Sequence, residues 1–214
     1  MLEISPIEIL KSIWGITSDI SALTGERDLN YQVRSEPKRV LKIYPNPSAG
    51  EIEFLKLQDR TLAALQGLQR TPIPIATNSG ETTIQVGSGA ARLLSWLDGQ
   101  MWAESDSREF AELGRCVALV DQHLARLELT ETDVKLLNRD FMWNMMQAEK
   151  ILNRLDLIAD EKLRISVADE ITEFKEKFLP KLKEMKSQLI HNDANDWNIV
   201  CGEKIQLIDF GDII

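Results

Sequence analysis

The sequence predicts an α+β fold in two lobes: an antiparallel sheet with one helix, then a mainly helical half closed by a short hairpin. Three observations lead there. Up to Gly99, apolar residues alternate in short runs broken by polar, Gly and Pro turns; beyond Gly99 they recur in steps of three and four; and near the C-terminus they return to short runs around Gly202-Glu203-Lys204. The expected lobes are residues 1–98 and residues 99–214.

Each element has a local cause. Ser5-Pro6-Ile7-Glu8 has the form of a helix start, with Ser5 as N-cap, Pro6 at the first helical position and Glu8 closing a capping box. Ile16, Ser18, Ile20 and Ala22 then alternate toward Gly25, and residues 31–33 and 39–44 follow after polar turns, the spacing of an antiparallel meander that ends at Pro45 and Pro47. Over residues 50–66, Ile52, Leu55, Leu62 and Leu65 mark an amphipathic helix leading into the Pro-containing loop 71–74. Residues 82–86 and 91–97 read as strands, and Asp98-Gly99 breaks the pattern. In the second half Phe110, Leu113, Val117, Val120, Leu124 and Leu127 predict one helix and Leu163, Val167, Ile171, Phe174 and Phe178 another. Residues 199–201 and 205–208 form the closing hairpin, paired so that Asn198 faces Asp209 in a two-residue turn, or one position away in a three-residue turn.

Composition narrows the function classes. With 25 Lys plus Arg against 34 Asp plus Glu, the net charge of −9 disfavours capture of nucleic acid or of an anionic membrane surface. The 43% hydrophobic content supports a packed core in 214 residues. Cys116 and Cys201 are far apart and match no metal spacing, which fits a reducing compartment. The N-terminus carries an early acid where a targeting peptide has basic residues, and no apolar run approaches the ~20 residues of a membrane span. A soluble, cytoplasmic protein is expected.

The sharpest signal is His191-Asn192-Asp193 with Asn198, followed by Asp209-Phe210-Gly211-Asp212, the patterns H-x-D-x-x-x-x-N and D-F-G. In phosphoryl transfer one carboxylate orients and deprotonates the attacking hydroxyl, while an amide oxygen and a second carboxylate hold the Mg²⁺ that bridges the phosphates. Asp193, Asn198 and Asp209 supply those groups, and His191 is read as a brace for the loop. Upstream, Lys42 lies inside the apolar run Val40-Leu41-Lys42-Ile43-Tyr44, on the same face as Val40, and a lysine so placed wants an anion: nucleotide phosphates, with a carboxylate of the following helix to hold it. Glu53, Gln58 and Asp59 are the candidates for that helix partner. Residues 25–30, Gly-Glu-Arg-Asp-Leu-Asn, sit between the first two strands where a phosphate-covering loop belongs. Trp102, Trp143 and Trp197 are read as core residues, with a box around a cationic amine as the alternative, foremost for Trp197.

The order of these parts resembles the aminoglycoside phosphotransferase and choline kinase superfamily. Gly25 to Asp28 with Asn30, the strand around Lys42, Arg92-Leu93-Leu94-Ser95-Trp96-Leu97-Asp98-Gly99, Leu179-Pro180-Lys181-Leu182, His191 to Asn198 and Ile208 to Asp212 are similar to its hydroxylysine kinase branch. The resemblance implies a protein-kinase-like fold and a kinase that uses ATP or GTP with Mg²⁺. The acceptor is a hydroxyl on a small amine-bearing molecule such as hydroxylysine, ethanolamine or choline, with an aminoglycoside as the alternative. It implies Asp193 as catalytic base, Asn198 and Asp209 as Mg²⁺ ligands, and Lys42 as phosphate anchor. Gly25 and Asn30 fall in the phosphate loop, the backbone of Ser95, Trp96 and Leu97 contacts adenine, and Asp212 assists the metal or a cationic substrate. The family's helix glutamate aligns with Gln58. Bacterial relatives of the branch occur fused to class III aminotransferases, so such a domain is an expected partner, and a catalytically silent module within such a fusion is a second reading. In relatives a further helical segment follows the last motif, so the chain ending at Ile214 is expected to hold the nucleotide half of the site and an incomplete acceptor half.

Overall fold

A computed structural model describes residues 5–25, 27–106, 108–141 and 143–214. Helix α1 (Pro6–Trp14) begins as the sequence requires: Ser5 Oγ accepts the Glu8 N–H, and Glu8 accepts in return from the Ser5 N–H. It stops at Gly15, whose left-handed backbone (φ 66°) favours glycine. Ile9 and Leu10 are fully buried against the sheet, a burial contributing roughly 1.5–3 kcal/mol per side chain.

Strands β1 (Ile20–Leu23), β2 (Leu29–Val33) and β3 (Arg39–Tyr44) form the expected meander, and β4 (Thr83–Val86) and β5 (Gly89–Ser95) complete a five-stranded sheet of order β1-β2-β3-β5-β4. Alternation along β3 assigns Leu41 and Ile43 to a core shared with α1, together with Val33, Ala91 and Leu93. Lys42 therefore points to the opposite face, where α2 (Ala49–Leu65) packs and Leu57, Leu62, Leu65 and Leu94 belong to a second core. Two strand limits differ from expectation. Residues 16–19 precede β1, and β5 ends at Ser95, one in-register bond beyond it joining the Trp96 N–H to the Lys38 carbonyl at 3.3 Å.

Beyond Gly99, β6 (Gln100–Met101) joins β7 (Ile199–Cys201) and β8 (Ile205–Leu207) in a three-stranded sheet. The β7–β8 register pairs Ile199 with Leu207 and Cys201 with Ile205 around a three-residue turn, Gly202-Glu203-Lys204. This corrects the two-residue alternative: Asn198 faces Ile208, whose N–H donates to the Asn198 carbonyl at 2.9 Å, and Asp209 lies one position on. The physical reason is the core, since this register sets Ile199, Cys201, Ile205 and Leu207 on one face against one hydrophobic cluster; at Gly202 a Cβ would stand 2.4 Å from the Asp98 carbonyl, so glycine lets the turn close on the chain entering β6. Helix α3 (Phe110–Leu124) buries Val120 and Leu124 as its spacing predicts, and Cys116 beside them, while Phe110 at its start is exposed; α4 (Glu131–Leu137) follows.

By compactness the described chain forms two units, residues 1–137 with 189–213, and residues 138–188 with 214. The second unit holds a run of tight helical turns (Met145–Leu157), α5 (Glu161–Glu173) and α6 (Leu179–Glu184). The helix expected through Phe178 is interrupted there by a wider π turn over Phe174–Phe178, which stacks the two rings at 6.4 Å. Leu163 and Phe178 are exposed instead of entering a core.

Candidate active site

The residues singled out for phosphate, metal and base lie in the first unit, and Trp143 in the second. On the α2 face of the sheet, strand registers place four polar residues in one row across four strands: Asn30 beside Lys42, Lys42 beside Arg92, and Arg92 beside Thr83. The α2 side chains serve the far end of that row. Asp59 receives Nε and Nη2 of Arg92 and the Thr83 hydroxyl, at 2.8, 2.5 and 2.6 Å, and Gln58 accepts from Arg92 Nη1 at 2.7 Å. Glu53 pairs with Lys56. The expectation that one of these three holds Lys42 is therefore corrected: Arg92, one strand over and 2% exposed, takes both nearer groups.

Lys42 finds its anions elsewhere. Its Nζ lies 2.9 Å from Asp28 Oδ2, in the loop after β1, and 3.7 Å from Asp209 Oδ1. Burial opposes the charge on Lys42, but Tyr44 and the carboxylates of Asp209 and Asp28 outweigh it and hold the ammonium well above its ordinary range. Burial likewise works against ionised Asp209, and Lys42, the Gly211 N–H, His191 and Arg92 reverse the balance, so its carboxyl lies below the ordinary range. Asp209 adopts a left-handed backbone (φ 57°), stabilised locally by its own Oδ1 accepting from Gly211 N–H at 3.1 Å. Sparsely populated backbone of this kind concentrates at functional sites.

The loop before β7 is built around Asp193. Its Oδ2 accepts from Asn198 Nδ2 at 2.7 Å and its Oδ1 from Asn195 Nδ2 at 2.9 Å, leaving each oxygen a lone pair for a hydroxyl. Turning its amide nitrogen to Asp193 leaves Asn198 its oxygen as the other ligating atom. His191 braces the loop as expected, its Nε2 bonded to the Ile208 carbonyl at 2.9 Å and its Nδ1 to the Asp193 N–H at 3.2 Å. Its ring packs edge-on against Phe210, 4.5 Å away. These bonds join Asp193, Asn198, Ile208 and Asp209, and through Asp209 reach Lys42. A small recess is lined by Lys42, Gln58, Arg92, Leu94, Asp209 and Phe210.

The remaining candidates divide. Gly25, in the loop after β1, and Asn30, in β2, flank Asp28, while Glu26 lies outside the described residues. Asn30 Oδ1 is buried and has no partner among the described residues. Ser95 and Trp96 already spend their N–H groups, on the Ile73 carbonyl at 2.9 Å and on Lys38; the Leu97 N–H is without a partner among the described residues. Trp102 is core, 1% exposed, whereas Trp143 and Trp197 are more than half exposed, correcting their reading as core. Sequence reasoning passed over Arg92 and Asp28 as site residues. The signals were a charged residue inside the apolar run 90–94 and an acid two positions before Asn30.

An amide oxygen and a carboxylate are hard donors, suited to Mg²⁺ when waters and phosphate oxygens complete its shell. Among the described residues no group of three His, Cys, Asp or Glu is placed to hold a metal ion.

Comparison with known proteins gives the chain's family and fold. A family model described as the phosphotransferase enzyme family matches residues 19–213. Hydroxylysine kinase of Mus musculus is 26% identical across 96% of this chain and 63% of its own length. The chain thus spans under two thirds of that curated relative. Among solved structures, spectinomycin phosphotransferase in complex with ADP and spectinomycin superposes with a TM-score of 0.61 at 15% identity, over 97% of this chain and 68% of its own. Amicoumacin kinase in complex with AMP-PNP and Ca²⁺ gives 0.62 at 16% identity, over 91% and 59%. At these identities the likeness shows the protein-kinase-like fold.

Proposed function

The chain belongs to the phosphotransferase enzyme family, and from that premise we propose that it carries the nucleotide and catalytic machinery of a small-molecule kinase. The reaction moves the terminal phosphoryl group of ATP or GTP to a hydroxyl of an amine-bearing molecule such as hydroxylysine, ethanolamine or choline. The observation that carries this reading is the bonded path from Asp193 through Asn198 and Ile208 to Asp209 and Lys42. Asp193 accepts the proton of the attacking hydroxyl, its orientation fixed by the amides of Asn195 and Asn198. Lys42 holds the phosphates, Gly25 and Asn30 shape the loop over them, and the segment Ser95-Trp96-Leu97 meets the base, with the Leu97 N–H as its donor. Asn198 and Asp209 bind Mg²⁺, which offsets phosphate charge when present. Residues 1–98 are assigned to nucleotide and residues 99–214 to catalysis.

ADP in one related structure, AMP-PNP and Ca²⁺ in the other, and the hydroxylysine kinase activity for which the mouse relative is named support nucleotide, divalent cation and amino alcohol respectively. Trp197, exposed and four residues after Asp193, is the candidate to meet a cationic amine. Two cysteines outside any disulfide fit a cytoplasmic setting, and among the described residues no helix is long and apolar enough to cross a membrane. The resemblance adds an aminotransferase, fused or associated, as partner.

Calorimetry with ATP and Mg²⁺, paired with a transfer assay on amino alcohols, tests the proposal. Asp209→Ala should lose Mg²⁺-dependent nucleotide binding, and Asp193→Ala should bind nucleotide while transfer falls by about 10²–10⁴-fold. Nucleotide binding by the full-length gene product with transfer to none of these acceptors would replace the kinase by the silent module.

A further inference from the structure

We infer that Asp28 is the carboxylate that positions Lys42 for the nucleotide phosphates, the task sequence reasoning gives to helix α2; this deepens the phosphotransfer reading and rests on it. The polar row on the sheet holds two cations side by side, Lys42 and Arg92. Each needs its own anion, since neither can leave the face that alternation assigns it. Asp59 is committed, with both oxygens on Arg92 and Thr83, and Gln58 is committed to Arg92. Among the described residues the anions on Lys42 are Asp28 and Asp209, and of these Asp28 makes the hydrogen-bonding distance, 2.9 Å against 3.7 Å.

Asp28 is also built into place. Its side chain is 12% exposed, Oδ2 lies on Lys42, and Oδ1 accepts from Asn30 Nδ2 at 3.0 Å, Asn30 being the cross-strand neighbour of Lys42. Asn30 Nδ2 reaches the Thr24 carbonyl at 3.4 Å as well, closing the loop on itself. Gly25 completes the support. A Cβ there would stand 2.4 Å from the Asp28 carbonyl and 2.6 Å from Asn30 Nδ2, so the loop closes around Asp28 only with glycine. Gly25-x-x-Asp28-x-Asn30 is thus a lysine holder carried by the loop that covers the phosphates, coupling loop position to lysine position. A carboxylate merely standing in for phosphate would have to abandon Asn30 when nucleotide arrives; a positioning carboxylate keeps it.

The full chain is tested with Asp28→Asn, Lys42→Met and the double variant. Without nucleotide, the two single changes should shift the urea midpoint non-additively, since paired residues couple. With nucleotide, Asp28→Asn should weaken ADP binding about tenfold, the effect of losing one charged hydrogen bond, and leave adenosine binding unchanged. In the Lys42→Met background it should have no further effect on ADP, and Asp28→Glu should recover part of the affinity. Additive midpoints overturn the inference whatever the nucleotide data say. Tighter ADP binding by Asp28→Asn overturns it in favour of the stand-in, and unchanged ADP binding overturns it as well. A wild type that binds no ADP brings down the phosphotransfer reading and the phosphate role with it, while the midpoints still decide the Asp28–Lys42 pair separately.

Discussion

The proton on His191 is placed by its neighbours. A carbonyl at Nε2 requires a hydrogen there, and the Asp193 N–H at Nδ1 requires a lone pair, so the ring is neutral with hydrogen on Nε2. A second proton would break the Asp193 contact. Burial accordingly lowers the His191 pKa, against the pull of the Ile208 carbonyl and of Asp209, Asp193 and Asp121. A histidine depressed in the folded state stabilises above its ordinary pKa, and that stability is lost as pH falls. We expect urea midpoints to decline from about pH 6.5 downward, by at most about 1.4 kcal/mol per pH unit, and the decline to flatten in His191→Gln. A wild-type midpoint unchanged from pH 7.5 to 5.5 would refute this. The H-x-D pattern makes His191 legible as a brace; which of its nitrogens carries hydrogen depends on Ile208, seventeen residues away, and appears only when β7 and β8 pair.

Helix α2 shows what periodicity can and cannot deliver. Its start was written locally, by Ser48 and Glu51 in a capping box, and its buried face by Leu55, Leu62 and Leu65. The partner of its polar pair Gln58-Asp59 was not legible, because the choice between Lys42 and Arg92 is made by the β3–β5 register and by how α2 lies across it. The Asp59–Arg92 pair is almost wholly buried, with side chains 4% and 2% exposed. Asp59→Ala, leaving Arg92 uncompensated, should therefore cost about 3–5 kcal/mol in urea unfolding. The exposed Glu53–Lys56 pair is a control, and its removal should cost at most about 1 kcal/mol. The C-terminal hairpin was foreseen with its turn one residue too short in the alternative that set Asn198 against Asp209. Strand β6, with two residues, is too short to carry any alternation, and its pairing of Met101 with Val200 arises from contact alone.

At the scale of the molecule, the site residues from Gly25 to Asp212 belong to one compact unit, and residues 138–188 form another. Ligand stabilisation should follow that division. Mg²⁺ and ADP at about a hundred times the dissociation constant should raise unfolding stability by about 2.7 kcal/mol, a gain removed by EDTA. Hydrogen exchange should slow in β2, β3 and the loop 191–198 and stay unchanged in α5; equal protection of α5 would contradict a nucleotide site confined to the first unit. Fold class, the order of elements from α1 to β5, helix α3 and the closing hairpin, and the residue types at Asp193, Asn198, Asp209 and Lys42 were readable in the chain, whereas β6, α4 and the turns of Met145–Leu157 were not. Alternation, capping and turn chemistry act over a few residues and need no knowledge of the rest. The pairing of charges was decided by tertiary structure: Lys42 with Asp28, Arg92 with Asp59, Arg27 with Asp212. An ion pair depends on distance in space, and in a sheet backed by a helix that distance is set by strand register and helix placement, which residue spacing does not contain.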